Sequence, residues 1–344
     1  MSDPGRNGKR GGEAARRMDE FELIARYFAP LAREPGARGL IDDAASLVLP
    51  AGQELVLTVD AVIEGVHFPR GEEPGAVARK ALRVNLSDLA AKGARPIGYL
   101  LVLALPDNWS PGWLEGFTAG LAADQAEFGL GLFGGDTVKT PGPLSVSITA
   151  FGEVPVGRMV ERGAARPGDR VFVSGGIGDA ALGLLLHRDA KLAGRWGLSE
   201  EEAEFLLDRY SRPRPRIELR EALLAHASAA MDISDGLVGD LDKMCRASGL
   251  AATIACGRVP HSGAVRKAIA ADPRLVETAL TGGDDYEILA AVPAAERNAF
   301  ARDAARADIP VAEIGAFAAG EPGVSVTGPE GAPMSFAHGS YTHF

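Results

Sequence analysis

Carboxylates recur next to glycine, serine or threonine at points where the sequence pattern predicts that strands or helices begin or end. The segments are Asp42-Asp43, Thr58-Val59-Asp60, Asn85-Leu86-Ser87-Asp88, Gly134-Gly135-Asp136-Thr137, Asp232-Ile233-Ser234-Asp235-Gly236 and Gly282-Gly283-Asp284-Asp285-Tyr286-Glu287. Carboxylate, hydroxyl and carbonyl oxygens are the ligands that Mg²⁺ prefers. Several carboxylates around one cleft also repel each other unless cations lie between them. The set therefore indicates a site for a hard divalent cation.

Magnesium bound by several carboxylates implies a ligand that carries phosphate. Mg²⁺ is seldom enclosed by protein oxygens alone and usually shares its coordination with substrate phosphates. Glycine-rich turns beside the acids would let backbone N–H groups approach phosphate oxygens. Arg158 and Arg162, in a segment rich in Gly, Arg and Pro, could clamp the transferred charge. We therefore expect a nucleotide as the ligand.

Several of these acids also have simpler interpretations. Asp235 precedes a predicted helix and could be its N-cap residue. Asp88 could pair with Lys92 one helical turn later or face water, and the two Asp-Asp pairs could be turn residues. Asp60 and Asp136 each follow an apolar strand, where a buried carboxylate is costly unless it is paired or bound to a metal. These two residues favour a cation site most strongly.

Sequence motifs of other phosphate-handling and metal enzymes are missing. The chain contains no Gly-x-x-x-x-Gly-Lys-Ser/Thr loop and no His-Glu-x-x-His sequence. His187-Arg188-Asp189 copies three letters of the protein-kinase catalytic loop, but no Asp-Phe-Gly follows it. The acidic segments therefore remain the main indication of function.

Hydrophobic periodicity places these acids on alternating strands and helices. In the first half, strands are predicted over residues 54–60, 95–105, 130–133 and 144–153, and helices over 21–32, 74–92 and 110–128. In the second half, strands are predicted over 169–174, 229–233, 251–255, 286–292 and 310–314, and helices over 179–187, 199–210, 215–227, 237–248, 264–271 and 294–306. The mixture predicts two α/β or α+β domains of similar size.

Two segments bound these domains. Residues 1–18 carry basic side chains among Gly, Ser and Ala, with no apolar stretch after them. We interpret them as a disordered tail rather than a secretory signal. A connection rich in Gly, Arg and Pro over 157–168 separates the halves, so the predicted domains are 19–156 and 157–344.

Composition excludes several classes of function. The chain has 344 residues, of which 46% are apolar and 24% charged, the balance of an ordinary soluble protein. Its net charge of −10 disfavours nucleic-acid binding driven by phosphate contacts. The longest apolar run, residues 99–105, is far shorter than the ~20 residues of a membrane span. Two cysteines exclude a disulfide scaffold, so we expect a cytoplasmic protein without nucleic-acid or membrane partners.

Six motifs together resemble one family. They are Ile41-Asp42-Asp43-Ala44-Ala45, Leu57-Thr58-Val59-Asp60 with Glu64-Gly65-Val66-His67-Phe68, Val84-Asn85-Leu86-Ser87-Asp88-Leu89-Ala90-Ala91, Gly134-Gly135-Asp136-Thr137, Met231-Asp232-Ile233-Ser234-Asp235-Gly236-Leu237 and Thr281-Gly282-Gly283-Asp284-Asp285-Tyr286-Glu287. Their order and spacing are similar to those of the thiamine-monophosphate kinase family. The acidic motifs are shared with the wider superfamily of aminoimidazole-ribonucleotide and selenophosphate synthetases. His67-Phe68 and the closing Tyr341-Thr342-His343-Phe344 are more specific to the kinases.

The resemblance implies a fold, a partner and a reaction. The domain over 19–156 would be α/β, would bind ATP and Mg²⁺, and would form a barrel with its copy in a homodimer. The C-terminal domain would be α+β. ATP and thiamine monophosphate would give ADP and thiamine diphosphate, with several Mg²⁺ ions, in the cleft between the domains. The acceptor is a phosphate monoester with a second pKa of ~6, so we expect direct in-line transfer without a general base.

The resemblance also implies roles for individual residues. Those that match the family's magnesium ligands are Asp43, Thr58, Val59, Asp60, Asp88, Asp136, Asp232 and Asp235. Many relatives have Thr at the position of Val59, which leaves only its backbone carbonyl to bind a metal. Residues that match nucleotide contacts are Gly135, Asp136, Arg162 and Ser234. Substrate contacts are matched by His67, by Asp284 (Glu in some relatives) and by a C-terminal aromatic residue, for which Phe336 and Tyr341 are candidates and His338 a third by position.

Two other functions remain open from the sequence alone. One is an ATP-dependent enzyme of the same superfamily with a different acceptor, such as an aminoimidazole-ribonucleotide synthetase. Selenophosphate synthesis is disfavoured, because the N-terminal half contains no cysteine. The other is a nucleotide or Mg²⁺ sensor without catalysis, which the presence of every acidic motif disfavours.

Overall fold

A computed structural model describes residues 18–328 and 331–336. Its first half contains four helical segments and four strands. Helix α1 (Glu20–Leu23) continues as a π-helix over Ile24–Phe28 and a 3₁₀ helix over Ala29–Leu31, and a second 3₁₀ helix covers Pro35–Leu40. The elements that follow are β1 (Gln53–Ile63), α2 (Pro74–Ala91), β2 (Arg95–Leu105), α3 (Pro111–Phe128), β3 (Gly131–Lys139) and β4 (Ser145–Pro155).

The ends of α2 and α3 follow from local chemistry. Pro74 occupies the first turn of α2, where a missing N–H costs nothing. The Glu73 carboxylate before it accepts hydrogen bonds from the N–H groups of Gly75 and Ala76, at 2.9 and 2.7 Å. Ser110 caps α3 in the same way, and α3 ends at Gly129, which is in the left-handed conformation. The predicted helices over 74–92 and 110–128 are thus confirmed to within one residue.

The first helical segment is less regular than predicted. A single α-helix was expected over residues 21–32, but only the first turn is α-helical and the rest is π and 3₁₀. Pro30 lies in this segment, and its ring cannot donate a backbone hydrogen bond, which interrupts the regular i→i−4 pattern. The apolar spacing predicted a buried face with Phe21, Ile24, Ala25, Phe28 and Leu31, and of these only Phe28 and Leu31 are buried, whereas Phe21 is 83% exposed. Leu23 and Tyr27 are buried in their place, because the π and 3₁₀ turns rotate the buried face away from the regular helical spacing.

A four-stranded sheet in the order β1-β4-β2-β3 forms the centre of the first half. β2 and β3 are parallel, and the other pairs are antiparallel. One face of the sheet packs on α2 and α3 and buries Val56 and Val62 of β1. The alternate residues of that strand, Leu55, Leu57 and Val59, are exposed on the opposite face. The sheet is open in this chain, so the barrel implied by the family resemblance is not closed by one copy alone.

Strand β3 extends beyond its predicted end. A strand was expected only over 130–133, yet the backbone pairs with β2 as far as Lys139. Gly134, Gly135 and Asp136 therefore lie within a strand and not in a turn after it. Gly135 has φ +157°, and a Cβ there would lie 1.9 Å from the carbonyl oxygen of Leu101. The glycine thus allows the two backbones to approach closely. The local sequence pattern, in contrast, predicts a turn at Gly134-Gly135.

The second half alternates strands and helices, as the sequence predicted. Its strands are β5 (Arg170–Ser174), β6 (Ala229–Asp232), β7 (Ala251–Ala255), β8 (Ile288–Val292), β9 (Val311–Ala318), β10 (Gly323–Thr327) and β11 (Pro333–Met334). Its α-helices are α4 (Asp179–Arg188), α5 (Lys191–Arg195), α6 (Glu200–Ser211), α7 (Arg220–His226), α8 (Leu237–Ser248), α9 (Gly263–Ala271), α10 (Leu275–Thr281) and α11 (Arg297–Arg306). The strands form one mixed sheet in the order β11-β10-β7-β9-β5-β8-β6.

Several short elements of this half were not predicted. These are α5, α10, β10 and β11, each of seven residues or fewer, too short for periodicity to register. The helix expected over 215–227 begins instead as a 3₁₀ helix at Ile217. The strand expected from 286 begins at Ile288, because Asp284 and Tyr286 have positive φ angles of 71° and 50°. Within the described residues, none of the helices is both long enough and apolar enough to cross a membrane.

Candidate active site

Helix α2 brings two predicted magnesium-site segments together. The hydroxyl of Thr58 on β1 donates a hydrogen bond to Oδ2 of Asp88, at 2.5 Å. The backbone N–H of Asp60 donates to Oδ1 of Asn85, at 2.9 Å, and the Asn85 amide donates in turn to the carbonyl of Ala81. Asn85 is fully buried, so its side chain fixes the end of β1 against the helix. Asp60 and Asp88, far apart in sequence, thus belong to one cluster.

The electrostatics of Asp60 show which other acid lies near. Partial desolvation of its carboxyl, followed by the charges of Asp88 and Asp235, raises the pKa of Asp60 to about 6. The residue as a whole remains exposed, so a ligand can reach the carboxyl from solvent. Three carboxylates from β1, α2 and the loop after β6 therefore act on each other across one small region.

Asp232 belongs to the same region from the opposite domain. It is the last residue of β6 and is buried. Burial, together with the charge of Asp88, raises its pKa to about 8, and the nearby Ser87 hydroxyl opposes this rise. A carboxyl held this far from its ordinary pKa by its neighbours is the state that a bound cation would relieve.

Asp235 is held from α8 and does not cap that helix. The N-cap residue is Gly236, and no side chain caps the helix there, so the interpretation of Asp235 as an N-cap is wrong. Its carboxylate accepts a hydrogen bond from Lys243, which also donates to Asp240 at 2.8 Å. The N–H of Asp235 donates to Asp240 at 2.9 Å. Asp240 thus fixes both the backbone and the counter-ion of Asp235.

A second group of predicted residues lines a separate cavity. Asp43, Gly135 and Asp136 lie on a cavity of about 710 Å³ whose other walls include Leu132 and Phe133. The lining is largely apolar with carboxylates at one part of the wall, a combination that suits a base or ring with attached phosphates.

The acidic cluster at Asp60 and the cavity residues at Asp136 lie on opposite faces and at opposite edges of the first sheet. Asp60 pairs with Ile148 on the helix-covered face of edge strand β1. Asp136 pairs with Val102, which is exposed on the other face, on edge strand β3. Three strand spacings separate the edges, about 14 Å at 4.7–4.9 Å each. One chain therefore does not bring the predicted magnesium ligands into a single cluster. Val59 also points to the exposed face, away from Asp60.

The donor chemistry of the first cluster fits a magnesium ion. It offers carboxylate and hydroxyl oxygens. Burial and the charge of Asp88 raise the pKa of Asp60 and of Asp232, and a divalent cation would oppose this rise. In the part of the chain that the structure describes, no three His, Cys, Asp or Glu side chains are close enough to hold a metal ion by themselves. Mg²⁺ commonly binds through one or two carboxylates plus water and phosphate oxygens.

Two of the residues predicted to bind the acceptor, His67 and Asp284, form a third group beside helix α2. Nδ1 of His67 accepts a hydrogen bond from the N–H of Ile63 at 3.0 Å, and the His67 carbonyl accepts one from the Tyr210 hydroxyl at 3.2 Å. Oδ2 of Asp284 lies 3.5 Å from Nζ of Lys80. The Lys80 ammonium lies 3.7 Å from the centroid of the Tyr210 ring. His67 and Asp284 are thus connected through Lys80 and Tyr210.

The segment that carries Asp284 is fixed from below by two buried acids. Asp285 accepts hydrogen bonds from the N–H groups of Gly178 and Ala180, at 2.7 and 3.1 Å. Glu287 accepts hydrogen bonds from Ser174, Arg209 and Arg216, at 2.6, 2.8 and 2.6 Å. These partners offset the cost of burying the charges. They also hold Asp284, whose backbone is in the left-handed conformation, in place.

The remaining predicted residues are placed as follows. The carbonyl of Ser234 accepts a hydrogen bond from the N–H of Asp284 at 2.9 Å, which connects the predicted nucleotide and acceptor segments. Arg162 is exposed and close enough to Lys92 to lower the pKa of that lysine, after burial, which lowers it most. Phe336 packs, partly buried, on the core of the second half. Tyr341 and His338 lie outside the described residues.

Sequence reasoning missed the residues that hold the predicted ligands. Motif and spacing assign no role to Asn85, Lys80, Tyr210 or Lys243. Lys80 had a usable signal, since it interrupts a run of Ala, Val and Leu on a helix. Tyr210 and Lys243 come from other elements, and only the folded chain brings them to the site.

Comparison with known proteins agrees with this geometry. Residues 41–154 match the family model for the N-terminal domain of AIR synthase related proteins, and residues 166–327 match the model for the C-terminal domain. The thiamine-monophosphate kinase of Caulobacter vibrioides is 46% identical over 91% of this chain and 87% of its own length. That of Salmonella typhimurium is 40% identical over 94% of this chain and 98% of its own length.

Solved structures give the same result. The thiamine-monophosphate kinase of Stenotrophomonas maltophilia K279a matches with a TM-score of 0.80 and 39% identity, over 92% of this chain and 98% of that one. A structure described as AaThiL complexed with AMPPCP and TMP matches with a TM-score of 0.75 and 32% identity, over 95% of this chain and 99% of that one. With its two AIR synthase related domains and its acidic cluster around helix α2, the chain belongs to the thiamine-monophosphate kinase family.

Proposed function

We propose that this chain transfers the terminal phosphate of ATP to thiamine monophosphate and so forms thiamine diphosphate. The observation that carries the proposal is that one helix contacts both the acidic cluster and the residues predicted to bind the acceptor. Helix α2 contacts the acidic cluster through Asn85 and Asp88 and the acceptor residues through Lys80. Relatives named thiamine-monophosphate kinase, and a related structure described as holding an ATP analogue and TMP, support the substrates.

The chemistry requires charge neutralisation more than proton transfer. Thr58, Asp60, Asp88, Asp232 and Asp235 would hold Mg²⁺ ions, which supply positive charge between two phosphate groups that otherwise repel each other. The acceptor phosphate is largely ionised at neutral pH, because its second pKa is ~6, so no side chain needs to remove a proton. The protein's contribution is then to orient the acceptor and the nucleotide for in-line transfer.

The nucleotide would occupy the cavity beside strand β3. Gly135 and Asp136 lie on its wall together with Asp43, and the apolar part of the lining suits an adenine ring. Ser234 and the exposed Arg162 would contact the phosphates from the side of the second half. Arg158 is a weaker candidate for this role, because its guanidinium donates to the carbonyl of Leu224 at 2.7 Å.

A homodimer would complete the site. The uncovered face of the first sheet carries the exposed apolar side chains Leu55, Leu57, Val59, Leu100, Val102 and Val138. A contiguous apolar face of this kind is typical of an interface, and a second copy of the four-stranded sheet would close an eight-stranded barrel over it. The same closure would bring a second copy of the Asp43 and Asp136 group towards an acidic cluster that lies on the other edge. We propose that the barrel domain spans 19–156 and that 157–344 form the α+β domain.

The test is product formation from defined substrates. ADP release is measured with ATP and Mg²⁺, with and without thiamine monophosphate, and the product is identified by mass spectrometry. Thiamine diphosphate formed only when both substrates are present is the expected result. If nucleotide binds but thiamine monophosphate is left unchanged, the acceptor is a different one from the same superfamily. If nucleotide binding does not depend on Mg²⁺, the role given to the acidic cluster is wrong.

A further inference from the structure

A buried lysine lies between the two halves of the chain. Lys80 is 2% exposed and occupies the part of α2 where its neighbours Val77, Ala81 and Val84 are buried as well. Removing an ammonium group from water costs several kcal/mol unless other groups compensate for it. The side chain must therefore be stabilised by particular partners at this position.

Both partners of Lys80 belong to the second half. Its Nζ lies 3.5 Å from Oδ2 of Asp284 and 3.7 Å from the centroid of the Tyr210 ring. Among the described residues it has no partner at good hydrogen-bond distance and angle, so an ion pair and a cation–π contact hold it. Burial lowers the pKa of the ammonium, and the charges of Asp284 and Glu72 oppose that effect. The charge on Lys80 thus depends on these neighbours.

Asp284 differs from the two acids that follow it. The carboxylates of Asp285 and Glu287 are fully buried and are used by hydrogen bonds that fix the fold. The Asp284 side chain is 26% exposed and contacts Lys80 through Oδ2. Its backbone is in the left-handed region, at φ +71°. Asp284 is therefore the acid of this segment that a ligand can reach, and Oδ1 is its oxygen that does not pair with Lys80.

We propose that Lys80 is a positioning residue for the acceptor and makes the site specific for a heterocycle with an N–H donor. Lys80 holds Oδ2 of Asp284, so that Oδ1 is directed to an amino group of the acceptor. The hydroxyl of Tyr210, whose ring lies against the ammonium, donates a hydrogen bond to the His67 carbonyl. His67, the other residue predicted to contact the acceptor, is thus coupled to the same lysine. Because the ammonium neutralises the carboxylate, recognition rests on hydrogen-bond direction and not on net charge.

This inference rests on the proposed function, since thiamine monophosphate is the acceptor that it concerns. The test compares Lys80→Met with Arg79→Met. Met keeps the length of the Lys80 stem and removes only the charge. Arg79 is adjacent on the same helix, but its guanidinium pairs with Asp124, at 3.7 Å, instead of with Asp284. For each variant, KM is measured for thiamine monophosphate and for ATP, and acceptor binding is measured by calorimetry.

The expected result is selective for the acceptor. Lys80→Met raises KM and the dissociation constant for thiamine monophosphate by about tenfold or more, the size of one lost charge-assisted interaction, and leaves KM for ATP within about twofold. Arg79→Met changes neither constant. In an Asp284→Asn background, Lys80→Met has little further effect, because the carboxylate through which the lysine acts is gone.

Other results overturn the proposal. Equal increases in both KM values, or full additivity with Asp284→Asn, would show that Lys80 supports the fold only. If thermal unfolding shows that Lys80→Met does not fold, the same measurements on the polar variant Lys80→Gln decide. Failure of the wild-type protein to phosphorylate thiamine monophosphate would contradict the proposed function. A normal wild-type protein with an unchanged Lys80→Met would contradict this inference alone.

Discussion

The backbone N–H of Asp60 and the side-chain oxygen of Asn85 lie 2.9 Å apart, and this hydrogen bond joins the end of strand β1 to the middle of helix α2. Asn85 is fully buried and uses its amide to bond the helix itself. A fully buried side chain thus helps to position Asp60, which is predicted to bind metal.

Asn85→Ala should lower activity more than it lowers stability. The variant loses both side-chain hydrogen bonds of Asn85, to the Asp60 N–H and to the Ala81 carbonyl, which costs about 1–3 kcal/mol of unfolding free energy, and it releases Asp60 from its position. We expect kcat to fall and the Mg²⁺ concentration needed for half-maximal rate to rise. Thr118→Ala is the matched control, because Thr118 is also buried and bonds its own helix at the Leu114 carbonyl. Equal effects of the two variants on kcat would contradict the prediction.

Asp235→Asn should reduce turnover by about 100-fold or more, as expected when a group that neutralises transferred charge is lost, with little change in fold. Lys243 still has Asp240 as its partner at 2.8 Å, so the loop remains supported. Asp136→Asn, in the cavity beside strand β3, should have a similar effect. Asp242→Asn on helix α8 removes only a surface ion pair with Arg246 and serves as the control. Near-normal kcat in either site variant at saturating Mg²⁺ would show that the metal assignment of that residue is wrong.

Leu57→Asp should separate the proposed dimer. Leu57 is 62% exposed on the uncovered sheet face, and a charge there would have to be buried in the barrel. Light scattering coupled to size exclusion should show a dimer for the wild-type chain and a monomer for this variant, with activity lost in parallel. Phe205→Asp changes an exposed apolar residue of α6 in the second half and should leave the mass unchanged. A wild-type protein that is monomeric at working concentration would exclude the barrel.

Glu287→Gln should destabilise the protein strongly. Glu287 is fully buried and is the common partner of Arg209 and Arg216. Breaking a buried charge network from one side costs about 3–5 kcal/mol, which urea unfolding would detect. Glu115→Gln removes an exposed pair with Arg26, in which both side chains are 57% exposed, and should have a far smaller effect. A similar loss in both variants would mean that the network contributes little.

Magnesium should stabilise the protein more at high pH than at low pH. The pKa values of Asp60 and Asp232 are raised to about 6 and about 8. A carboxyl whose folded pKa is raised stabilises the metal-free protein fully below its unfolded value near 4. That contribution is lost as the pH rises through the folded pKa. Mg²⁺ must displace these protons, so its affinity and the rise in Tm that it causes should increase between about pH 5 and about pH 9. In Asp60→Asn the pH dependence should weaken. A rise in Tm that does not change with pH would contradict the prediction.

The sequence predicted most of the elements that carry the site, because those elements have strong local signals. Pro74 marks the start of α2, the continuous apolar run over 99–105 identifies β2, and Gly249 follows the last turn of α8. The predicted strand β3 ended at residue 133, too early, because the glycines that follow favour turns. Its length is set by pairing with β2, which a local pattern does not contain.

The site was predicted in part for the same physical reason. Residue type and spacing identified Asp60, Asp88, Asp232 and Asp235, and these do converge on one region. Spacing along the chain does not show on which face of a sheet a residue lies, so the separation of Asp136 from Asp60 was not foreseen. The residues that hold the acids become visible only when distant elements are in contact.

Helix α2 would restrict the length of the acceptor under the proposed assignments. Lys80 and Asp88 are eight residues apart on one unbroken helix, and at 1.5 Å per residue this is about 12 Å along its axis. With the proposed assignments, the heterocycle of the acceptor would lie near Lys80 and its phosphate near the acidic cluster at Asp88, and the helix between them would fix the distance between the two subsites. An analogue with a shorter or longer connection between ring and phosphate would be held correctly at one end only, and it would bind without being phosphorylated.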